Sequence, residues 1–171
     1  MHYLDLEAFF KLTADPKLWI YFTSDLSVAS ELEQWVESGV TQTKAGQRLA
    51  FTIIDINTGT VMGSTSLGNI SYHDKRIEIG WTWLGREFQG KGINDEVKRL
   101  LLEYCFNELQ FERVELKTDV LNMPARKALL RIGFKEEGIL RSHTLMTHGR
   151  RRDTIYYSML KSEWDGLKSK I

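Results

Sequence analysis

The chain has a single cysteine, Cys105, among its 171 residues. One thiol closes no internal disulfide, so a reducing, cytoplasmic setting is the simple expectation. Charge of one sign is not in excess either: 23 Lys plus Arg face 23 Asp plus Glu. That balance argues against a nucleic-acid binder held by bulk electrostatics. No apolar run is long enough to span a bilayer, and the first residues lack the charged-then-apolar pattern of a signal peptide, so no membrane partner is expected. Four histidines, His2, His73, His143 and His148, show no ligand spacing, and there is no cysteine cluster to hold a metal. Repeats, low-complexity stretches and linkers are also missing, which leaves one domain over 1–171.

What is present centres on one stretch, Arg76 to Lys98. Its first half, Arg76 to Leu84, is rich in Ile and Trp and reads as a buried strand. Its second half opens an amphipathic helix. Between them lies Gln89-Gly90-Lys91-Gly92-Ile93-Asn94. Glycines there let the backbone turn with positive φ and let a ligand reach bare N–H groups. The helix start adds unpaired donors and the positive end of its dipole. The expected ligand is a phosphate or diphosphate held mainly by backbone.

Two familiar phosphate motifs fail on these glycines. Gly85, four residues, then Gly90-Lys91 matches most of a nucleotide P-loop, but Gly92 stands where the Mg²⁺-binding Ser or Thr belongs. The dinucleotide pattern fails at Asp95, where its last glycine belongs.

The rest of the chain reads in order. Asp5 can cap a helix carrying Leu6, Phe9, Phe10 and Leu12, broken at Asp15-Pro16. Leu18 to Phe22 is an aromatic packing loop. A second helix is expected over Val28–Ser38, with Gly39 as its stop. Strands follow at Leu49–Ile56 and Val61–Ser71 around a turn at Asn57 to Gly59, with Gly63 and Gly68 marking bulges. The helix after the glycine loop is expected to bury Ile93, Val97, Leu100, Leu101, Tyr104, Cys105 and Leu109, with Cys105 a core thiol. Arg113–Thr118 is a strand parallel to the central one, since a helix crosses between them. Asn122 caps a short helix that ends at Gly133. Phe134–His143 and Arg151–Leu160 form a last hairpin, and Lys161 to Ile171 adds a helical turn or two. Met1 to Leu4 is short enough to be the end of an abbreviated strand. Arg150-Arg151-Arg152 is either a docking patch or a charged hairpin end with Asp153 pairing one arginine.

The glycine loop resembles motif A of the GNAT acyl-CoA N-acyltransferases, usually Gln/Arg-x-x-Gly-x-Gly/Ala. Gly90 and Gly92 match; Glu87 departs at the first position, flanked by Arg86 and Gln89. Asn122-Met-Pro-Ala-Arg-Lys-Ala-Leu-Leu-Arg-Ile-Gly-Phe134 resembles the next block of that family. Glu137 to Arg141 and Gly149 to Ser158 resemble the closing strands of its RimJ/RimL-like branch, which acetylates ribosomal-protein N-termini.

The resemblance implies a mixed α/β fold: a mostly antiparallel central sheet, splayed at its middle and flanked by helices. It also implies acetyl-CoA as co-substrate and an amine acceptor, such as a protein N-terminus, a peptide or a small amine, in a monomer or homodimer. Direct transfer in a ternary complex is expected, since no activated nucleophile is evident. Backbone around Ile79, Trp81 and Trp83 would pair with the pantetheine arm and supply an oxyanion N–H. The diphosphate would sit on Gln89, Gly90, Lys91, Gly92, Ile93 and Asn94. Asn122 would bond the cofactor arm. Arg126 and Lys127 could touch the adenosine phosphate, although a solvated helix face is the plainer reading of either alone. Glu78 is the expected base for the amine; the plainer alternative is a glutamate on the solvated face of its strand. The family often has Ser where this chain has Ala125, which leaves the acid for the CoA thiolate open among water, Tyr104, Tyr156 and Tyr157. A non-catalytic CoA-binding module is the alternative function, favoured by Glu87 and Ala125.

Overall fold

The computed structural model describes residues 1–168. Among these, six strands form one sheet in the order β1-β2-β3-β4-β6-β5. They are β1 (Leu49–Ile54), β2 (Val61–Ser71), β3 (Arg76–Leu84), β4 (Arg113–Asp119), β5 (Lys135–Leu145) and β6 (Arg151–Leu160). Every neighbouring pair is antiparallel except β3 and β4. Those two run parallel because α3 (Ile93–Glu103) crosses between them. Helices α1 (Leu6–Thr13) and α2 (Ala29–Lys44) precede the sheet; α4 (Met123–Ile132) and α5 (Lys161–Lys168) complete the fold. The expected mixed α/β sheet flanked by helices is what forms.

Two apolar cores are built. The larger packs Ile77, Ile79, Val114, Leu116, Ile155 and Tyr157 of the sheet against Leu102 of α3, Cys105 and Phe106 just after it, Leu129 and Ile132 of α4, and Trp164. The smaller gathers Phe9, Trp19, Leu32, Val36 and Val40 around Trp83. Trp83 stands on the same strand as Ile77 and Ile79 at an odd position, yet belongs to the other core. A bulge causes this. Ser64 pairs with Trp83 and Ser66 with Gly80, so Trp81 and Thr82 together oppose Thr65. One extra residue reverses the alternation of faces beyond it.

Trp81 carries the bulge with φ of 52°, the left-handed region that a bulky residue seldom adopts. Its ring lies under the guanidinium of Arg48, 5.2 Å from the centroid. It also fills the space above Gly68, where a Cβ would come within 2.7 Å of the ring. Gly68 is therefore room for Trp81. Gly63 answers a closer approach still: a Cβ there would stand 2.1 Å from the carbonyl oxygen of Trp83.

Several local expectations are corrected. Met1 to Leu4 forms no strand; Tyr3–Asp5 is a 3₁₀ turn. Asp5 does not cap α1 through its side chain, but accepts from the backbone N–H of His2 and from Thr52 Oγ1. The second helix runs through Gly39 to Lys44. Gly39 is selected for contact, since a Cβ would meet Met1 Sδ at 2.7 Å; the positive φ expected at a helix end falls on Gly46. Leu49's strand stops at Ile54, and the chain turns by Asp55 with Gly59 at φ of 72°. The buried face of α3 also differs from the expected one: Leu100, Tyr104 and Leu109 are exposed, and the buried row is Lys98, Leu102, Cys105 and Phe106. These lie at i, i+4, i+7 and i+8. A π-helical stretch, Tyr104–Glu108, follows directly. The last three residues of the expected tail, 169–171, lie outside the described residues.

Candidate active site

The site begins where β3 and β4 separate. They pair at Arg76 with Arg113, Ile77 with Val114 and Glu78 with Glu115, and at no later position. Beyond Glu78, β3 bends through the Trp81 bulge while β4 stays with β6 as far as Asp119. The facing edges of Ile79–Leu84 and Leu116–Asp119 are left without each other as partners. A cavity of 410 Å³ fills the split. Ile79, Gly80, Trp81 and Thr82 wall one side, and Leu116, Lys117 and Thr118 the other. An extended polar chain can add there as a strand would.

A second cavity, 740 Å³, continues from the split to the glycine loop. Tyr21, Phe22, Thr82, Asn94, Asn122 and Ala125 line both, so the two form one continuous groove. Gly90 and Gly92 have φ of 73° and 81°, and a Cβ on either would meet nothing in the chain. Among the described residues, no acceptor takes the N–H groups of Gly90, Lys91, Gly92, Ile93 or Asn94. Together with the N-terminus of the eleven-residue α3, they make a nest for an anion.

Most of the expected residues meet here. Ile79 and Trp81 line the split; Trp83, Gln89, Gly90 and Gly92 line the outer cavity; Asn94 and Asn122 line both. Lys91 and Ile93 form no part of either wall. Lys127 is exposed and lines neither cavity. Arg126 is engaged elsewhere, with Tyr157 Oη, the Val120 carbonyl and Glu136. The cations at the outer cavity are instead Lys17 and Arg131, the latter paired with Asp95 at 2.7 Å. Arg131 lies inside the Asn122 to Phe134 block, one helical turn after Lys127, and only the packing of α4 beside α3 brings it to the cavity. Asn122 caps α4 as expected, its Oδ1 accepting from Ala125 N–H at 3.3 Å, while its Nδ2 donates to Thr118 Oγ1 at 3.2 Å.

Glu78 is not on a solvated face; it is 4% exposed. Its Oε2 accepts from Asn69 Nδ2 at 2.6 Å and from Lys117 Nζ at 2.8 Å. Its Oε1 turns along the strand over Gly80, where a Cβ would stand 3.1 Å from it. The missing side chain at Gly80 thus keeps one carboxylate oxygen open towards the split. Glu78 and Lys117 also line a third cavity, 730 Å³, with Arg76, Glu115, Tyr72 and Tyr156. The carboxylate therefore stands between two openings.

The tyrosines considered as acids fare poorly. Tyr104 and Tyr157 line neither the split nor the outer cavity, and Tyr156 lines only the third. Tyr157 is fully buried and holds Arg126. Cys105 is also fully buried, and burial pushes its thiol up to about 12, so it is a core thiol. The arginine run is not a patch: Arg150 pairs with buried Asp119, Arg152 is buried, and Asp153 accepts from Ser142 N–H. Arg86, at the loop, pairs with Asp15 and ties the segment before α2 to the rim of the groove. The Lys17 N–H and then Arg86 hold the Asp15 carboxyl below the usual range.

Comparison with known proteins gives a consistent picture. Residues 1–135 match the model of the acetyltransferase (GNAT) domain. The chain is 42% identical over 110 residues to YdaF of Bacillus subtilis (strain 168), which carries a provisional ribosomal N-acetyltransferase name; the match covers 64% of this chain and 59% of that protein. It is 31% identical over 166 residues to the uncharacterised N-acetyltransferase p20 of Bacillus licheniformis, covering 95% and 90% of the two. A GCN5-related N-acetyltransferase from Brucella melitensis superposes with a TM-score of 0.86 at 30% identity, over 96% of this chain and 74% of that one.

Proposed function

The chain belongs to the GNAT acetyltransferase family, in its RimJ/RimL-like N-acetyltransferase branch, and on that premise we propose that it moves an acetyl group from acetyl-CoA to a primary amine by direct transfer in a ternary complex. The observation that carries this reading is the parting of β3 and β4 after Glu78, continuous with the unspent N–H groups of Gly90 to Asn94. A diphosphate on the loop would send its pantetheine arm along the groove, past Asn122, into the split. The thioester carbonyl would then lie against the backbone of the Trp81 bulge, where one N–H donor is worth about 3 kcal/mol of barrier.

The acceptor enters from the opposite opening, the one Glu78 and Lys117 share with Tyr72, Glu115 and Tyr156. Glu78 Oε1 is the base, directly or through one water. An α-amine, with an intrinsic pKa near 8, is nearer its neutral form than a lysine near 10. That favours a protein or peptide N-terminus, in keeping with the ribosomal N-acetyltransferase name of YdaF.

The test is calorimetry of the full chain with coenzyme A, followed by thiol release from acetyl-CoA with N-terminal peptides, lysine peptides with blocked N-termini, and small amines. Binding with turnover on free N-termini supports the reading. No association with coenzyme A sinks the donor site; turnover only on lysine side chains sinks the acceptor assignment.

A further inference from the structure

One group in the split has no part in the reading above. Lys98 projects from α3 and is 3% exposed. Its Nζ donates to Thr82 Oγ1 at 2.6 Å, and that hydroxyl also meets Thr65 Oγ1 at 2.8 Å. The Trp81 bulge creates this contact by turning Thr82 towards α3. An ammonium has three protons to donate, and Thr82 takes one. Lys117, by contrast, has Glu78. Among the described residues no carboxylate lies within ion-pair distance of Lys98, and burial pushes it down to about 7. An apolar side chain would pack this row with Leu102 and Cys105 at no such desolvation cost.

To the split, β3 brings Glu78, β4 Lys117, β5 His143, β6 Arg152, and the segment before α2 brings Tyr21. Glu78 is held by Lys117 and Asn69, Arg152 donates to Thr154, and His143 meets Thr144 and Thr154. α4 offers only Ala125 and Leu129. The proton donor that Ala125 cannot be is not replaced from α4.

We propose that Lys98, held by Thr82 at the floor of the split, is the proton donor to the sulfur of the departing coenzyme A; this rests on the acetyl-CoA reading. The neutral acceptor amine attacks the thioester carbon and a C–N bond forms. The adduct collapses, the C–S bond breaks and its electron pair goes to sulfur. Lys98 gives sulfur a proton, so coenzyme A leaves as a thiol. The attacking nitrogen loses one proton on the Glu78 side, and Lys98 regains one from solvent. A thiol titrates at about 8.5, so a donor near 7 passes its proton downhill, whereas an ordinary lysine near 10.4 would keep it.

The experiment compares calorimetric binding of coenzyme A and desulfo-coenzyme A to the full chain between pH 6 and 10. Wild type should prefer the thiol by roughly tenfold, with the preference greatest between about 7 and about 8.5. Lys98→Met and Lys98→Arg should bind desulfo-coenzyme A as wild type does, which also reports on folding. Lys98→Met should lose the preference, and both variants should lose about 100-fold in kcat without a change in KM for acetyl-CoA, because arginine does not give up its proton. A thiol preference that is flat with pH in wild type overturns the proposal without recourse to any variant. So does an acetyl group found on Lys98 by mass spectrometry, which would make it an acceptor. Binding of neither ligand overturns the donor reading itself; binding of both without preference overturns only this inference.

Discussion

Lys117 Nζ stands 2.8 Å from Glu78 Oε2, two positions beyond Glu115, with which Glu78 makes the last pairing of β3 with β4. The ion pair spans the point where the strands let go of each other. It fixes one carboxylate oxygen and leaves the other over Gly80. Substituting Glu78→Gln keeps the shape and removes the charge. Turnover should fall by roughly 100-fold, the usual scale for a lost general base, with coenzyme A affinity unchanged. Steady-state kinetics across pH alongside calorimetry decide it; unaltered turnover would reduce Glu78 to a strand clamp.

Gly92 sits at φ of 81° with open space where a Cβ would point. Gly92→Val therefore meets no atom of the chain, but strains the left-handed backbone and intrudes on a ligand lying against the loop. Coenzyme A affinity should fall at least tenfold, as judged by titration, with thermal stability lowered by about 1 kcal/mol. Equal affinity in wild type and variant would show that the diphosphate lies elsewhere. Asn122→Ala should likewise weaken donor binding and cost about 1 kcal/mol through the lost cap.

Lys98 also links stability to pH. Its folded value, about 7, lies below the unfolded value of about 10.4. Between these the unfolded chain binds the extra proton, so the lysine's contribution to stability rises with pH. Below pH 7 it is charged in both states and its burial cost is felt in full. Lys98→Met should thus stabilise the fold by a few kcal/mol at pH 6, and the gain should shrink as pH climbs towards 10. Urea melts of both proteins at pH 6, 8 and 10 measure it. A gain that does not vary with pH would contradict an uncompensated buried ammonium.

Gly63 is the most closely approached glycine of β2 and β3: a Cβ there would stand only 2.1 Å from the Trp83 carbonyl oxygen. The clash is with backbone, so no side chain can swing aside. Gly63→Ala should cost about 3 kcal/mol or more, seen as a drop in the urea midpoint. Because the strain falls beside the Trp81 bulge, kcat should fall as well in whatever fraction stays folded.

The strand periods, the helix after Gln89, the crossover that makes β4 parallel to β3, and the cap at Asn122 were all legible in the residues. So was the left-handed turn of the glycine loop, because Gly90 and Gly92 declare a local backbone conformation that needs no distant partner. Local chemistry sets those features: side-chain alternation, caps and glycine φ values act within a few residues of themselves.

Other features depended on which segments meet. Strict alternation along β3 would send Trp83 to the same side as Ile79; the bulge opposite Thr65 reverses it, and only the register with β2 reveals that bulge. Lys98 stands next to exposed Arg99, and Leu102, Cys105 and Phe106 follow it at i+4, i+7 and i+8. Whether that row faces water or the sheet is settled by how α3 lies across Thr82. Lys117 and Glu78 are 39 positions apart, and nothing in either neighbourhood announces the other. The sequence alone determined the elements, their order and the glycine turn; the tertiary structure decided which charges are buried and which of them face the split, because burial and pairing belong to contacts between segments and not to any one segment.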